Sequence, residues 1–129
     1  MYGQARPEVL MEAGRERVVS ILREAGIPAS GSGRSLTVAL GGQRATLVCE
    51  AGDLRLLATF GSAELGKVNE WNRTHRFSRA FVDESGKAVL ASDLDMGGGV
   101  TKDAIAGFAR RFGESAAEFR GFVGKRTAK

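Results

Sequence analysis

The sequence has very few of the residues that build disulfides and transition-metal sites. Its 129 residues include one cysteine, Cys49, and one histidine, His75. Cys49 therefore cannot form an internal disulfide, and its position in an apolar strand pattern favours a small buried side chain. One histidine and one distant cysteine are too few ligands for a zinc or other transition-metal site. We expect no metal and no cofactor.

Long apolar runs are also missing. No stretch approaches the roughly 18 apolar residues of a membrane span, and the first residues lack the apolar region of a secretory signal. The expected location is therefore cytoplasmic, with no membrane partner. The 43% hydrophobic and 26% charged content is typical of a globular chain. We expect a single domain over 1–129, with an ordered core at about 7–123 and a flexible tail at 124–129.

The excess of one sign of charge is small and dispersed. A net charge of +4 makes nucleic acid a candidate partner. The arginines, however, are interleaved with acidic residues, and only the tail from Lys125 to Lys129 forms a short basic cluster. A nucleic-acid-binding regulator that uses Arg73, Arg76, Arg79 and this tail is therefore the alternative hypothesis.

Apolar periodicity predicts three helices and five strands. Apolar residues recurring every three or four positions indicate a helix, and alternation indicates a half-buried strand. The last helix has the clearest stripe, from Ile105 to Val123, although Gly113 leaves open a break or kink and a shorter second piece. The predicted helices are 7–25, 63–74 and a last one capped by Thr101, and the predicted strands are 36–40, 44–50, 54–60, 77–83 and 87–94.

The connections complete the predicted fold. Gly41-Gly42 is a two-residue hairpin signal, and the small polar residues at 29–33 indicate a flexible connection. In the order α-β-β-β-α-β-β-α, strands and helices do not alternate repeatedly as they do in a parallel sheet. The sequence therefore predicts an α+β protein with an antiparallel five-stranded sheet and flanking helices.

No group of residues in the sequence is suited to catalysis. His75 has no assignable nucleophile or orienting carboxylate, and Asp93 and Asp95 lack the spacing of an EF-hand. The glycines at 97–99 before Thr101 come nearest to a phosphate cradle, because backbone N–H groups at a helix start favour anions. They lack the Walker lysine and the Rossmann spacing. We predict no catalytic residues, and binding or turnover of a phosphorylated small molecule at Gly97–Thr101 is the third hypothesis.

Two aromatic features have both a core and an interface interpretation. Trp71, the single tryptophan, lies in a predicted helix next to Arg73. A lone tryptophan is often buried, but tryptophan and arginine also anchor protein interfaces. The last helix carries Phe119 on its apolar stripe and Phe122 beside it, a surplus that a second copy could cover.

Four short motifs resemble the YbjN family of bacterial sensory transduction regulators. They are Val68-Asn69-Glu70-Trp71-Asn72-Arg73, the later Arg76-Phe77, Leu90-Ala91-Ser92-Asp93-Leu94, and Gly98-Gly99-Val100-Thr101 before a Phe-rich helix. Together with the general layout, the resemblance covers about residues 8–123. It implies a fold like that of the class I type III secretion chaperones, which commonly pair into dimers. It also implies a bacterial, cytoplasmic and non-enzymatic role, with no catalytic residues to carry over.

The leading functional hypothesis is a regulatory or chaperone-like module that binds another protein and acts as a homodimer. The predicted partner-contact residues are Trp71, Asn72, Arg73, Arg76 and Phe119. The chain departs from the secretion chaperones because it is basic, whereas those proteins tend to be acidic. The resemblance therefore supports their shape more strongly than their role in secretion.

Overall fold

The computed structural model describes residues 8–11, 13–31, 33, 35–50 and 52–124. These residues form three helices and eight strands. In chain order the elements are β1 (Val9–Leu10), α1 (Arg15–Glu24), β2 (Ala29–Ser30), β3 (Ser35–Leu40), β4 (Gln43–Glu50), β5 (Asp53–Ser62), α2 (Leu65–Thr74), β6 (Arg79–Val82), β7 (Lys87–Asp95), β8 (Val100–Thr101) and α3 (Lys102–Gly124).

The main sheet has six antiparallel strands in the order β2-β3-β4-β5-β7-β6. The prediction of five strands was wrong, because the segment 29–33 is not simply a flexible connection. Ala29 is buried and pairs with Val38, which adds β2 to the sheet. A strand of two residues is too short to show an alternating pattern, so periodicity could not reveal it.

The first helix is shorter than predicted because the chain before it is extended. Val9–Leu10 pairs with Val100–Thr101 as a separate two-stranded ribbon. The helix begins at Arg15, after Gly14 in an extended conformation. Gly14 therefore lies at the boundary of α1 and not in its middle, and Pro7 lies outside the described residues.

The other two helices also differ from expectation at specific positions. α2 begins at Leu65, two residues later than predicted, because Ser62 still belongs to β5. α3 is continuous through Gly113, so the anticipated break does not occur, and its predicted cap is confirmed by the N–H of Ala104, which donates to Thr101 Oγ1 at 3.1 Å. Gly124 is the last residue of α3, and the rest of the predicted tail lies outside the described residues.

The remaining boundaries lie within one or two residues of the predicted ones. The hairpin at Gly41-Gly42 is confirmed, with φ of 53° and 80° at the two glycines. Positive φ at both central residues is the geometry that matches the twist of paired strands.

All three helices pack on one face of the sheet and form the core with it. Phe119 of α3 contacts Phe60 of β5 edge to face, with ring centroids 5.0 Å apart. Gly113 of α3 lies so close to Leu40 of β3 that an added Cβ would be 3.0 Å from Leu40 Cβ. Among the residues that the structure describes, no helix covers the opposite face of the sheet.

Candidate protein-binding face

One edge of the sheet is covered at Ala80 by the side chain of Asn72. β6 is the outermost strand, and its Ala80 faces away from β7. The N–H of Ala80 donates to Asn72 Oδ1 at 2.7 Å, and Asn72 Nδ2 donates to the carbonyl of Ala80 at 2.9 Å. These are the two bonds that a further strand would make, so Asn72 occupies the place of such a strand.

At the other edge, two arginines of α1 occupy two outward-facing carbonyls. The carbonyl of Pro28 accepts a hydrogen bond from Ala39 in β3. Because successive residues of a strand point to opposite edges, the carbonyls of Ala29 and Gly31 face away from the sheet. Arg23 Nε donates to Ala29 at 3.1 Å, and Arg15 Nη1 donates to Gly31 at 2.8 Å.

The helical side of the molecule contains the two aromatic residues predicted to contact a partner. Trp71 and Phe119 are both 0% exposed and meet edge to face, with centroids 4.9 Å apart. Trp71 Nε1 donates to the buried Ser78 Oγ at 3.3 Å. In this structure these side chains are part of the core, and the core interpretation of Trp71 is the one that the structure supports.

The three other predicted contact residues have different environments. Asn72 is committed to Ala80, whereas Arg73 and Arg76 are exposed near the end of α2. Arg79 lies on the opposite side of the sheet, where its Nη1 bonds Asp93 Oδ2 at 2.8 Å. The three arginines of the nucleic-acid hypothesis therefore do not form one patch, and the basic tail lies outside the described residues.

The glycine turn before α3 has two of its N–H donors occupied. The N–H of Gly97 donates to Asp95 Oδ1 at 2.8 Å, and that of Gly99 donates to the carbonyl of Met96 at 2.8 Å. A carboxylate already lies where a phosphate would have to bind. Gly99 has φ of 90°, which is readily accessible only to glycine, so this turn has a conformational role.

The groups usually associated with chemistry are engaged structurally. His75 stacks on Trp71 with a centroid separation of 3.5 Å, and its Nε2 lies 2.7 Å from Glu118 Oε2. Cys49 is half-buried against the core, and burial raises the pKa of its thiol despite the nearby Arg15 charge, which disfavours a reactive thiolate. Across the part of the chain that the structure describes, no cluster of three potential metal ligands occurs.

The sheet face opposite the helices, here called the open face, is the remaining large surface. Its centre is an apolar stripe that runs diagonally across four strands. Leu57 pairs with Ala91, and Val89 pairs with Phe81. The stripe consists of Val48, Leu57, Ala91, Val89 and Phe81. Val48 and Leu57 are half-buried and Phe81 is 42% exposed, whereas Ala91 and Val89, which lie between them, are buried at 0% and 6% exposure.

A charged cluster lies beside this stripe. Asp93 accepts hydrogen bonds from Arg55 Nε at 2.7 Å and from Arg79 Nη1 at 2.8 Å. Partial burial alone would raise the pKa of Asp93, but the two guanidinium groups outweigh it and hold that pKa below its usual range. Asp93 is therefore ionised and neutralised within the fold.

The next row of the open face is acidic. Glu50, Asp53 and Asp95 lie side by side on β4, β5 and β7 and are called the acidic row. Together with the stripe and the charged cluster they surround a concavity of about 650 Å³. Its lining consists of Val48, Glu50, Asp53, Arg55, Leu57, Asp93 and Asp95. The site thus combines an apolar floor with a negatively charged rim.

The sequence does contain a signal for this face, at the positions where strand alternation fails. Alternation fails in β5, where Leu56 is followed by Leu57, and in β7, where the run from Ala88 to Ala91 is buried throughout. A strand with one face in water alternates, whereas a strand covered on both faces is continuously apolar. The break in alternation indicates apolar residues on both faces of the sheet centre.

Solved structures support this architecture. The crystal structure of YbjN, "a putative transcription regulator from E. coli", matches with a TM-score of 0.72 and 16% identity, covering 90% of this chain and 92% of that chain. A chain of the type III secretion chaperone SpcS, in the ExoT-SpcS complex from Pseudomonas aeruginosa, matches with a TM-score of 0.62 and 17% identity. That match covers 78% of this chain and 92% of the other. Both likenesses show the fold, and the predicted secretion-chaperone-like shape is confirmed.

Sequence comparison provides the family. No curated protein matches the chain. The family model of YbjN, described as "Putative bacterial sensory transduction regulator", matches residues 8–124. This range includes α1, the whole six-stranded sheet and α3, and it contains the motifs around Trp71 and Gly99. The chain therefore belongs to the YbjN family.

Proposed function

We propose that this chain is a non-enzymatic regulatory or chaperone-like module that binds a segment of another protein on its open face. The observation that carries the proposal is the apolar stripe in the centre of a sheet face that no helix covers. Family membership and the chaperone-like fold support it. The SpcS structure is of a complex with ExoT, so a protein of this fold binds a protein partner.

The stripe has the properties of a contact surface. An antiparallel sheet with one face in water normally presents polar side chains there. Here Leu57 and Val48, on the central strands β5 and β4, are half-buried, and Phe81, on the edge strand β6, is substantially exposed. Accessible apolar side chains bordered by charged groups, as Val48 and Leu57 are here, are typical of sites for protein association.

A capture experiment with matched variants tests the proposal. The purified chain, Leu57→Ser and Leu65→Ser would each be used to capture proteins from the bacterial host, followed by mass spectrometry. Leu65 is the matched control because it is 68% exposed but lies on α2, away from the open face. We expect one partner to bind the wild-type chain and Leu65→Ser but not Leu57→Ser. Equal capture by Leu57→Ser would contradict the proposal.

We further propose that the chain acts as a homodimer. The similarity to a secretion chaperone, a class of proteins that commonly pair into dimers, supports a second copy. Light scattering should give twice the chain mass of 13.7 kDa. A monomeric mass at all concentrations would rule out the dimer. The cytoplasmic location stays a prediction; within the described residues no helix is both long and apolar enough to cross a membrane.

Nucleic-acid binding is the competing hypothesis, because the E. coli relative is described as a transcription regulator. Arg73 and Arg76 are the exposed cations that such a role would use. Binding through phosphate contacts weakens steeply as salt rises. Retention on a DNA column at low salt, lost in Arg73→Gln/Arg76→Gln, would support it, and no retention would remove it.

A further inference from the structure

The open face is electrically polarised along its strands. The acidic row of Glu50, Asp53 and Asp95 lies at one end, where β4 ends, β5 begins and β7 ends. Arg44, in the first half of β4, lies toward the other end on the same face. The apolar stripe lies between them. A bound segment therefore meets a different charge at each end.

The carboxylates of the acidic row are not neutralised as Asp93 is. Arg55 interacts electrostatically with Glu50 and Asp53, but its ion pair is with Asp93 at 2.7 Å. Within the described residues neither Glu50 nor Asp53 forms an ion pair. This negative charge is concentrated on a chain whose net charge is +4. Its field therefore opposes that of the molecule as a whole and attracts cations to one end of the face.

We infer that the partner segment of the open face carries lysine or arginine beside its apolar residues. The apolar residues lie over Leu57 and Val48, and the cationic residues lie over Glu50 and Asp53. Charge complementarity of this kind fixes the direction of a partner and raises its association rate. The inference rests on the proposed function and specifies the chemistry of the partner. A nucleic acid does not fit this end of the face, because its phosphates would be repelled.

Selection from a displayed random-peptide library on the immobilised full chain tests this inference. Affinities of the selected peptides would be measured by fluorescence anisotropy. The test variant is Glu50→Gln/Asp53→Asn, and its control is Glu70→Gln/Glu114→Gln, which makes the same change in net charge on the helical side. We expect peptides with lysine or arginine beside apolar residues. Their affinity should fall roughly fivefold in the test variant and stay unchanged in the control.

The outcomes separate this inference from the proposed function. Peptides that need Leu57 but are indifferent to Glu50→Gln/Asp53→Asn would overturn the inference and leave the binding function intact. Peptides that bind Leu57→Ser as well as the wild-type chain would contradict both. If Leu57→Ser instead converts a dimer into a monomer, the occupant of the open face is a second copy, which also overturns the inference.

Discussion

The amide of Asn72 satisfies both backbone groups of Ala80 at the edge of the sheet. A residue that both donates and accepts is required, because one bond goes to a carbonyl and the other comes from an N–H. Aspartate can accept but not donate, and alanine can do neither. The identity of this side chain is therefore fixed by the backbone that it contacts.

Asn72→Ala should lower the free energy of unfolding by about 1–3 kcal/mol, because it leaves two backbone groups of Ala80 without their partner. Urea denaturation followed by circular dichroism measures the change. Arg73→Ala is the control. Arg73 directly follows Asn72 and is exposed, so its replacement should change the free energy of unfolding by less than about 0.5 kcal/mol. Equal stability of the two variants would show that the Asn72 bonds contribute nothing.

Asp93 should titrate below the ordinary aspartate pKa of 3.8, because Arg55 and Arg79 outweigh the effect of its partial burial. Its contribution to stability is thus fully present above that value and is lost as pH falls through the lowered pKa. Carboxyl ¹³C NMR during an acid titration measures the pKa directly. Arg79→Gln should raise it. A pKa at or above 3.8 in the wild-type chain would contradict the assignment.

At the scale of elements, two glycines of α3 lie in opposite packing environments. Gly113 is buried against Leu40, and the atom that an added Cβ would meet at 3.0 Å is Leu40 Cβ, which cannot rotate away. Gly107 lies in the same helix with nothing within 4 Å of an added Cβ. Helix propensity favours alanine at both positions, so packing alone distinguishes them.

Gly107→Ala should therefore stabilise the chain by about 0.5–1 kcal/mol, and Gly113→Ala should destabilise it by about 1 kcal/mol or more. Thermal and urea unfolding of the two variants give the comparison. The same sign of change in both variants would contradict the close packing of α3 on β3.

How much could be predicted from the sequence differs between elements. The Gly41-Gly42 hairpin and the stripe of α3 were predictable because both signals are local. β2 and the ribbon at Val9–Leu10 were not, because pairs of residues become strands only through distant partners. The same applies to the site. Trp71 was recognisable as an anchor, but only the packed structure shows that it anchors the core. Only the structure shows, too, that an apolar stripe lies on the open face of the sheet.

At the scale of the whole molecule, the stability of backbone hydrogen bonds should fall from the sheet centre outward. β5 and β7 are flanked by strands on both sides, whereas the β1–β8 ribbon pairs only two residues with two others. Hydrogen exchange with mass spectrometry should show the slowest exchange in β5 and β7 and early exchange in β1. Equal protection of the ribbon and the sheet centre would contradict this order.

The covered positions at the sheet edges also affect how a partner of the proposed kind would be recognised. Asn72 occupies the outward backbone groups of Ala80 on one edge, and Arg15 and Arg23 occupy two carbonyls on the other, so a partner strand cannot pair at these positions. Recognition then depends on side chains meeting a surface, and no hydrogen-bond register dictates the conformation of the bound segment. Under the proposed function, we expect the open face to accept a helix or an extended strand that carries the same pattern of apolar and basic groups. We also expect the occupied edge positions to oppose strand pairing between this chain and other sheets.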